Sequence, residues 1–349
     1  MSCVVTFGEI MGRLAAPGFS RFQQAMPGTL DVTFAGAEAS IAASICYLGG
    51  DAAFVTAMPD HAIADACVAN LRSLGVNTRH ILRTPHGRLG LYFIEAGANQ
   101  RPGNVIYDRE GASIAITPAT AYDWNAIFDG AEWFIVSGIT PAISRNAADV
   151  TAIALREAAQ RGVKVAIDMN YRGKLWRWDP ALPPRELATR TLRELLPSAD
   201  LFIGGREDAE AMLGISGSAS LDDLARQLVQ RFSRISRIAM TVREGISATH
   251  NNFGGVLFDK VADHLNCAPE NGRLYPITNI VDRLGAGDAF TAGLIYALTN
   301  PELAALPTAL DFATAAGCLA HSIEGDFNLS TREEIESLMA GNSAGRVSR

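Results

Sequence analysis

The stretch DRLGAGDAFTAGL at residues 282–294 is the most informative part of the chain. Three small residues, Gly285, Ala286 and Gly287, stand directly before an apolar pattern with helical spacing. Backbone N–H groups at such a helix start can surround an anion, and the helix dipole adds positive potential there. Asp288 follows in the first helical turn, where an Asp is most often only a cap. Beside an anion site, it could also accept the proton of a hydroxyl that attacks a bound phosphoryl group.

The chain contains neither of the two common nucleotide-binding loops. Its Gly-Lys pair, Gly173 and Lys174, is followed by Leu175 and is not preceded by GxxxxG, which excludes a Walker A loop. The first predicted strand leads through Gly8 and Glu9 without the glycine pattern of a dinucleotide site. If the protein binds a nucleotide, residues 282–294 must contribute in another way.

The composition is that of a globular protein with a sizeable core, and it excludes several functional classes. Of the 349 residues, 48% are hydrophobic and 19% are charged, which excludes a disordered chain. The formal net charge of −7 argues against a nucleic-acid partner, because neutralising phosphates requires a basic surface. No run of about 18 apolar residues is present, so we expect no transmembrane helix and no membrane partner.

The N-terminus and the cysteines predict a cytoplasmic protein. The segment MSCVVTFGEI lacks the basic region and the cleavage site of a signal peptide, and we interpret it as a first strand. The five cysteines are scattered, none lies in a CxxC, and the six histidines show no metal-ligand spacing. This pattern predicts reduced, mostly buried thiols.

Short apolar runs alternate with longer amphipathic segments along most of the chain. Continuous apolar strands between helices are typical of a parallel sheet that is covered on both faces. The pattern predicts strands at residues 4–7, 52–56, 133–136, 163–167, 201–203, 238–242, 247–251 and 255–258. It predicts helices at residues 38–48, 62–74, 146–160, 185–195, 207–213, 221–232, 287–298, 308–321 and 333–339.

Two segments interrupt this alternation, at residues 12–34 and 88–116. The first is rich in Gly, Pro and Thr, and the second has the pattern of a β meander with a turn near residues 100–104. We expect them to form a small β-sheet lid over the carboxyl ends of the parallel strands. An extension of the edge of the main sheet is the alternative. Residues 1–340 would then form a single α/β domain, and residues 341–349 a flexible tail.

Several motifs resemble those of a known family. DRLGAGDAFTAGL is similar to the second motif of the ribokinase-like (PfkB) sugar kinases, and FAGAEASIAASICYLGG at 34–50 resembles their first motif. The stretches LYFIEAG, VIYDR, NYRGKLW and HSIEGDFNLST resemble the 2-keto-3-deoxygluconate kinases within that family. The resemblance covers nearly the whole chain in order. It implies a three-layer α/β sandwich with a β lid, ATP and Mg²⁺ as cosubstrate and metal, and a homodimer or higher homo-oligomer formed through the lid. It leaves a monovalent cation open.

The residues themselves favour an acidic sugar. Tyr107 and Arg109 share one face of a strand, and Arg172 follows a predicted central strand. One such Arg is most often a surface salt bridge, but two Arg with two Tyr suit a carboxylate and hydroxyls. The resemblance implies sugar-acid contacts from Glu9, Gly36, Tyr92, Tyr107, Arg109 and Arg172. It also implies Asp288 as the catalytic base, Gly285, Ala286 and Gly287 as the anion hole, and nucleotide contacts from Thr241, Gly245 and Asn328.

Three of these assignments have a purely structural alternative. Glu9 could be merely solvated at a strand end, Thr241 could simply end a strand, and Asn328 could belong to a turn before a helix.

The sequence departs from the family pattern in two places. The family usually has Gly and Asn where Ala35 and Ser40 stand, so some hydrogen bonding at the first motif is missing or replaced. The family's N-x-x-E motif, which positions Mg²⁺ through water, is matched by Gly205 and Asp208. Asp208 could still hold the hydrated metal, although its side chain is one bond shorter.

The leading hypothesis is therefore ATP-dependent phosphorylation of the terminal hydroxyl of 2-keto-3-deoxygluconate or a close sugar acid. One alternative keeps the chemistry and changes the sugar, for example to fructose or an inositol-pathway keto acid. An aldose or fructose kinase would not need both Arg109 and Arg172. A catalytically weakened homologue that binds a sugar acid and acts in regulation is the alternative of another class.

Overall fold

The computed structural model describes residues 3–215, 217, 219–270 and 272–342. Its strands are β1 (Cys3–Phe7), β2 (Met11–Ala15), β3 (Asp31–Ala35), β4 (Asp51–Pro59), β5 (Ile81–Thr84), β6 (Gly90–Glu95), β7 (Asn104–Asp108), β8 (Ala131–Ser137), β9 (Lys164–Asp168), β10 (Leu201–Gly204), β11 (Arg237–Ser247), β12 (His250–Asp259), β13 (His264–Ala268) and β14 (Tyr275–Ile277).

Its helices are α1 (Phe22–Ala25), α2 (Ala37–Tyr47), α3 (Ala62–Ser73), α4 (Ser113–Ile116), α5 (Trp124–Phe128), α6 (Arg145–Gln160), α7 (Pro184–Leu195), α8 (Arg206–Leu213), α9 (Leu221–Arg231), α10 (Ala286–Thr299), α11 (Leu306–Ala320) and α12 (Arg332–Met339). Within the described ranges, no helix is long and apolar enough to cross a membrane.

A large sheet forms the centre of the molecule. Its strand order is β13-β12-β11-β10-β9-β8-β1-β4-β5, and β14 also pairs with β12. The strands from β11 to β5 run parallel to their neighbours, whereas β12 is antiparallel to β11, β13 and β14. Because parallel strands end at the same edge, the loops after β1, β8, β9, β10 and β11 meet on one side of the sheet.

Helices cover both faces of this sheet. Phe134 and Ile135 are neighbours on β8, and both are fully buried, but they belong to two different cores. The core of Phe134 includes residues of α6, α7 and α9, and the core of Ile135 includes residues of α2, α10 and α11. The strands therefore appear as continuous apolar runs because each face has its own helical layer.

A second, smaller sheet stands apart from the first. Its strand order is β3-β2-β6-β7, with β2 and β6 parallel and the outer pairs antiparallel. Tyr92 and Tyr107 face each other across β6 and β7, on the side that faces the loops of the main sheet. We call these four strands the lid.

The structure confirms a mostly parallel central sheet with a separate small sheet, and it confirms most predicted elements to within a few residues. Two predictions were wrong. Residues 247–251 and 255–258 do not form two strands, because β11 extends to Ser247 and β12 runs unbroken through the second half of the hairpin. The meander ends at Asp108, and Ser113–Ile116 forms a helical turn. Apolar side chains of this turn pack in the core that contains Phe134. Residues 343–349 of the predicted tail lie outside the described residues.

Candidate active site

Helix α10 begins at a glycine that no other residue could replace without strain. Gly285 precedes its first turn with a φ of 81°, in the left-handed region. A Cβ on Gly285 would lie 2.2 Å from the carbonyl oxygen of Asp326, so the two loops pack backbone to backbone. The amides of the first turn have no partner within the helix and carry its positive dipole end. The methyl group of Ala286 packs against Ala289 and Ala320.

Asp288 lies in this first turn, with 9% of its surface exposed. Its carboxylate makes no hydrogen bond or ion pair with any part of the chain that the structure describes. Burial raises the pKa of Asp288 well above its usual range, and the carboxylates of Asp168, Asp326 and Glu38 act in the same direction. The guanidinium of Arg172 acts against them. An unpaired carboxyl with a raised pKa is suited to accept a proton.

Two cavities meet at Asp288. The first, which we call the lid cavity, has a volume of about 390 Å³ and lies under the lid. The second, which we call the strand-end cavity, has a volume of about 620 Å³ and is lined by residues of β11 and of the loops after β9 and β10. Both are lined by Asp288 and Gly285, and also by the loop residues Asn170, Tyr171 and Arg172.

The lid cavity gathers the predicted sugar-binding residues. It is lined by Gly36, Tyr92, Tyr107, Arg109 and Arg172, and also by Lys174 and Asp326. Glu9 does not line the lid cavity, but its carboxylate accepts hydrogen bonds from Arg109, which does. Arg172 is exposed, and its guanidinium makes no hydrogen bond or ion pair within the described part of the chain, so it is available to a ligand. Lys174 donates to the carbonyl oxygen of Val105 at 3.1 Å and thereby ties this loop to the lid.

The first motif places bare backbone beside this cavity. A Cβ on Gly36 would lie 2.1 Å from the carbonyl oxygen of Glu9, so only glycine allows α2 to begin there. Ser40, one turn into α2, is 1% exposed, and its hydroxyl has no hydrogen-bond partner among the residues that the structure describes. Ala35, just before Gly36, is fully buried in the lid's own small core.

Arg109 reaches the cavity from the end of β7 with part of its hydrogen-bonding capacity already used. Its Nε donates to Oε2 of Glu9 at 2.9 Å, and its Nη2 contacts the same oxygen. Both side chains are buried, with 7% and 4% exposed. The guanidinium carbon lies 5.4 Å from the ring centre of Tyr107. Of its three nitrogen atoms, Nη1 is left for a ligand.

Tyr92 belongs to a second buried network behind the cavity. Its hydroxyl donates to Oδ1 of Asp326 at 2.8 Å, and Nη1 of Arg13 donates to the same oxygen at 2.6 Å. Nη2 of Arg13 contacts Oδ2 of Asp282. Burial raises the pKa of Tyr92 well above its usual range, and Asp326 adds to that shift. Tyr92 is therefore a neutral hydrogen-bond donor at ordinary pH.

The strand-end cavity combines acidic and basic side chains. Asp168 and Asp208 line it together with Thr241, one of the predicted nucleotide contacts. Burial raises the pKa of Asp168 to about 7, and the nearby Asp208 acts in the same direction. The arginines that line the cavity are Arg172, Arg185, Arg206, Arg243 and Arg283.

Three of these arginines lack a hydrogen-bonded anionic or carbonyl partner among the described residues, namely Arg172, Arg185 and Arg243. Arg283 donates to the carbonyl oxygen of Ala248 at 2.6 Å. Burial lowers the pKa of Arg243, and the guanidinium groups of Arg283 and Arg172 lower it further. Like charges gathered around an open space favour a polyanion in that space.

Asp208 has a structural task as well. Its Oδ2 accepts a hydrogen bond from the backbone N–H of Gly205 at 2.9 Å, which caps the start of α8. The other oxygen, Oδ1, makes no hydrogen bond within the described residues. Hydrated Mg²⁺ prefers oxygen ligands and keeps several waters, so Asp208 and Asp168 fit a metal held through water. Groups of three or more metal-ligating side chains are absent from the described residues.

The structure does not bring two of the predicted nucleotide contacts to this cavity. Gly245 lines a third cavity instead, near the tip of the lid. Asn328 is 3% exposed and lines none of the three cavities. Its Oδ1 accepts from Ser330, and its Nδ2 lies 3.4 Å from the hydroxyl of Ser44, so its amide closes a buried turn.

Sequence reasoning missed several residues of the site, namely Arg13, Asp168, Arg243 and Asp326. Asp168 ends β9 two residues before the quoted NYRGKLW stretch, and its place at the carboxyl end of a parallel strand is the signal that could have identified it. Asp326 lies within HSIEGDFNLST, which carried the resemblance but no role. Arg13 gave no signal, because a single Arg within a strand of the lid is usually exposed.

Comparisons with known proteins agree on one family. The model of the pfkB family carbohydrate kinases matches residues 1–245 and 264–331. A 2-dehydro-3-deoxygalactonokinase from Haloferax volcanii is 31% identical over 342 residues, covering 98% of both chains. The crystal structure of 2-dehydro-3-deoxygluconokinase from Thermotoga maritima is 38% identical, with a TM-score of 0.88 over 98% of this chain and 100% of that chain.

A more distant structure shares the fold. It is ribokinase II from E. coli in complex with ATP and Mg²⁺, which is 21% identical with a TM-score of 0.78. The alignment covers 98% of this chain and 100% of that chain.

Proposed function

The chain belongs to the pfkB carbohydrate kinase family, and we propose that this sugar kinase phosphorylates the terminal hydroxyl of a 2-keto-3-deoxy sugar acid with ATP. The relatives named above act on the gluconate and the galactonate forms, so the proposal covers both epimers. We place this reaction in the cytoplasm. The five cysteines, Cys3, Cys46, Cys67, Cys267 and Cys318, are free thiols, as a reducing compartment requires.

The observation that carries the proposal is the position of Asp288 between two cavities of different character. The lid cavity offers hydroxyl and guanidinium groups at the scale of a small sugar acid. The strand-end cavity offers arginines and a helix start at the scale of a triphosphate. A carboxylate at their junction can take a proton from a hydroxyl in one cavity as a phosphoryl group approaches from the other.

In the proposed mechanism, Asp288 accepts the proton of the terminal hydroxyl, and the oxygen attacks the γ-phosphorus of ATP. The bond between that phosphorus and the β,γ-bridging oxygen breaks, and ADP leaves. The first-turn amides at Gly285, Ala286 and Gly287 stabilise the charge that develops on the transferred group. Arg172, at the boundary of both cavities, holds the sugar carboxylate and limits repulsion between the two anions.

Mg²⁺ would be held near Asp208 and Asp168 through water, and when bound it neutralises charge on the phosphates. Thr241 lines the same cavity and contributes a hydroxyl to the nucleotide. The capping bond to Gly205 fixes the orientation of Asp208, so the shorter side chain still presents one free oxygen to the cavity.

We also propose that the chain forms a homodimer through the outer face of the lid. Because side chains alternate along a strand, residues between those that face the cavity point away from it. On that face lie Leu14, Val32, Phe34, Leu91, Phe93 and Ile106. Val32 is 65% exposed and Ile106 is 49% exposed. A contiguous apolar face of this kind is suited to an interface, and light scattering of Val32→Asp against the parent chain tests it.

A kinase screen tests the function. The purified chain is incubated with ATP and Mg²⁺ and with each of five acceptors: 2-keto-3-deoxygluconate, 2-keto-3-deoxygalactonate, 5-keto-2-deoxygluconate, fructose and ribose. ADP release and the site of phosphorylation are measured. We expect turnover with the first two acceptors, and none in Asp288→Asn, which controls for a contaminating kinase. An arm without K⁺ tests whether a monovalent cation is needed. A preference for fructose would exclude the sugar-acid assignment, and sugar-acid binding without ADP release would indicate a regulatory homologue.

A further inference from the structure

A buried arginine links the lid to the loops that form the anion site. Arg13 lies on β2, in the middle of the lid, and its side chain is 6% exposed. Its guanidinium contacts Asp326 through Nη1 at 2.6 Å and Asp282 through Nη2. The two carboxylates belong to different loops, 44 positions apart in sequence (326 − 282). One planar group therefore joins three segments of the chain.

Both of these loops shape the start of α10. Oδ1 of Asp282 accepts the backbone N–H of Leu284 at 3.0 Å, directly before Gly285. Oδ2 of Asp282 accepts the backbone N–H of Gly325 at 3.2 Å, which ties the two loops together. The carbonyl of Asp326 packs against Gly285 so closely that a Cβ would lie 2.2 Å from it. The backbone at the anion site thus depends on where these two carboxylates stand.

The same network reaches the lid cavity. Arg13 is the direct neighbour of Tyr92 across β2 and β6, and both donate to Oδ1 of Asp326. Tyr92 and Asp326 line the lid cavity, whereas Arg13 does not. A sugar that contacts Tyr92 or Asp326 therefore contacts groups that Arg13 holds in place.

We infer that Arg13 is a positioning residue, which couples closure of the lid over the sugar to the geometry of the anion site at Gly285, Ala286 and Gly287. This inference rests on the proposed function and adds the residue that connects the sugar site under the lid to the anion site. Holding both carboxylates at once requires a forked group, and a guanidinium offers separate donors to two carboxylates at a set angle. An ammonium group carries the same charge but cannot reproduce that geometry.

The test compares Arg13→Lys with Arg88→Lys, a matched change two residues before β6 of the lid. Arg88 makes a two-pronged ion pair with Asp108, at 2.8 and 2.9 Å, but this pair is exposed and far in sequence from both loops. The readouts are kcat and KM per active site, the melting temperature, and amide hydrogen exchange of residues 282–288. Because hydrogen exchange needs no substrate, it reports on Arg13 even if the proposed sugar acid is wrong. Kinetics then use whichever sugar the parent chain phosphorylates.

We expect Arg13→Lys to lower kcat by about tenfold or more, with a smaller change in the KM for ATP. Amide exchange at residues 282–288 should become about tenfold faster, while Arg88→Lys leaves all readouts within about twofold. In the double variant Arg13→Lys/Asp326→Asn, the second change should add less than it does alone, because both act through one network. A lower melting temperature with unchanged kcat and unchanged exchange at residues 282–288 would overturn the inference. Equal effects of Arg13→Lys and Arg88→Lys would overturn it too.

Discussion

Glu9 and Arg109 form a buried ion pair that joins the end of the first strand to the lid, with Nε of Arg109 2.9 Å from Oε2 of Glu9. The pair lies beside the lid cavity. Because of it, Arg109 and Arg172, the two arginines that line this cavity, differ in what they can offer a ligand. Arg109 is already paired with Glu9 and keeps one nitrogen free, whereas the guanidinium of Arg172 makes no hydrogen bond or ion pair among the described residues. A sugar carboxylate therefore gains most from Arg172.

Arg172→Lys should reduce selectivity for acidic sugars. We expect a loss of about tenfold or more in kcat/KM for a sugar acid, because an ammonium group cannot reproduce the guanidinium fork. For a neutral sugar, the loss should be small. The measurement is kcat/KM for both substrate types, with Arg177→Lys, an exposed change in the same loop, as the control. Equal losses for acidic and neutral sugars would show that Arg172 does not recognise the carboxylate.

Glu9→Gln should destabilise the fold more than it impairs recognition. Removing one partner leaves the Arg109 guanidinium buried without compensation, which costs about 3–5 kcal/mol. Urea unfolding of Glu9→Gln measures this loss. The matched control is Asp108→Asn, which breaks the exposed pair with Arg88 and should change the unfolding midpoint little. If both variants unfolded at the same urea concentration, the buried pair would not stabilise the lid.

Asp288→Asn should abolish turnover and leave sugar binding largely intact. The change is nearly isosteric, and loss of a general base typically lowers the rate by about 10²–10⁴-fold. Single-turnover kinetics measure the chemical step, and calorimetry measures sugar binding. Retention of more than about a tenth of the parent rate, well short of that loss, would exclude Asp288 as the base.

The pH dependence of kcat should show the raised pKa of Asp288. A base must be ionised, so the rate should fall on acidification through a pKa well above that of an ordinary carboxyl. Asp326→Asn removes a nearby negative charge, leaving burial, Asp168 and Glu38 to raise the pKa and Arg172 to lower it. The acid limb should therefore move to lower pH in this variant, and it should stay in place in Asp108→Asn on the lid surface. A limb that moved to higher pH in Asp326→Asn would contradict the assignment.

Asp208 can be tested with two substitutions that separate its tasks. Asp208→Ala removes both the helix cap at Gly205 and the charge, and it should lower the melting temperature and raise the Mg²⁺ concentration for half-maximal rate. Asp208→Asn keeps an oxygen for the cap, so only the Mg²⁺ requirement should rise. An unchanged Mg²⁺ titration in both variants would show that Asp208 only caps α8.

Local patterns were sufficient for much of this protein. The GAGD stretch predicts a helix start with open amides and Asp288 in its first turn, because small residues and positive φ are properties of a few consecutive residues. The apolar runs predict the parallel strands, because burial on both faces leaves no polar positions in them. The alternation in VIYDR predicts that Tyr107 and Arg109 share one face, because side chains alternate along any strand.

Long-range pairing required the folded structure. Glu9 and Arg109 are 100 positions apart, and Arg13 and Asp282 are 269 apart, so no local pattern predicts that either pair meets. Asn328 has a polar amide side chain of the kind that binds ligands, yet its contacts with Ser330 and Ser44 bury it in a turn. Which charges are neutralised and which remain free for a ligand depends on distances between separate elements. Those distances are set by how the lid and the helix layers pack on the sheet, which is why Arg172 and Arg109 look alike in sequence and differ in the site.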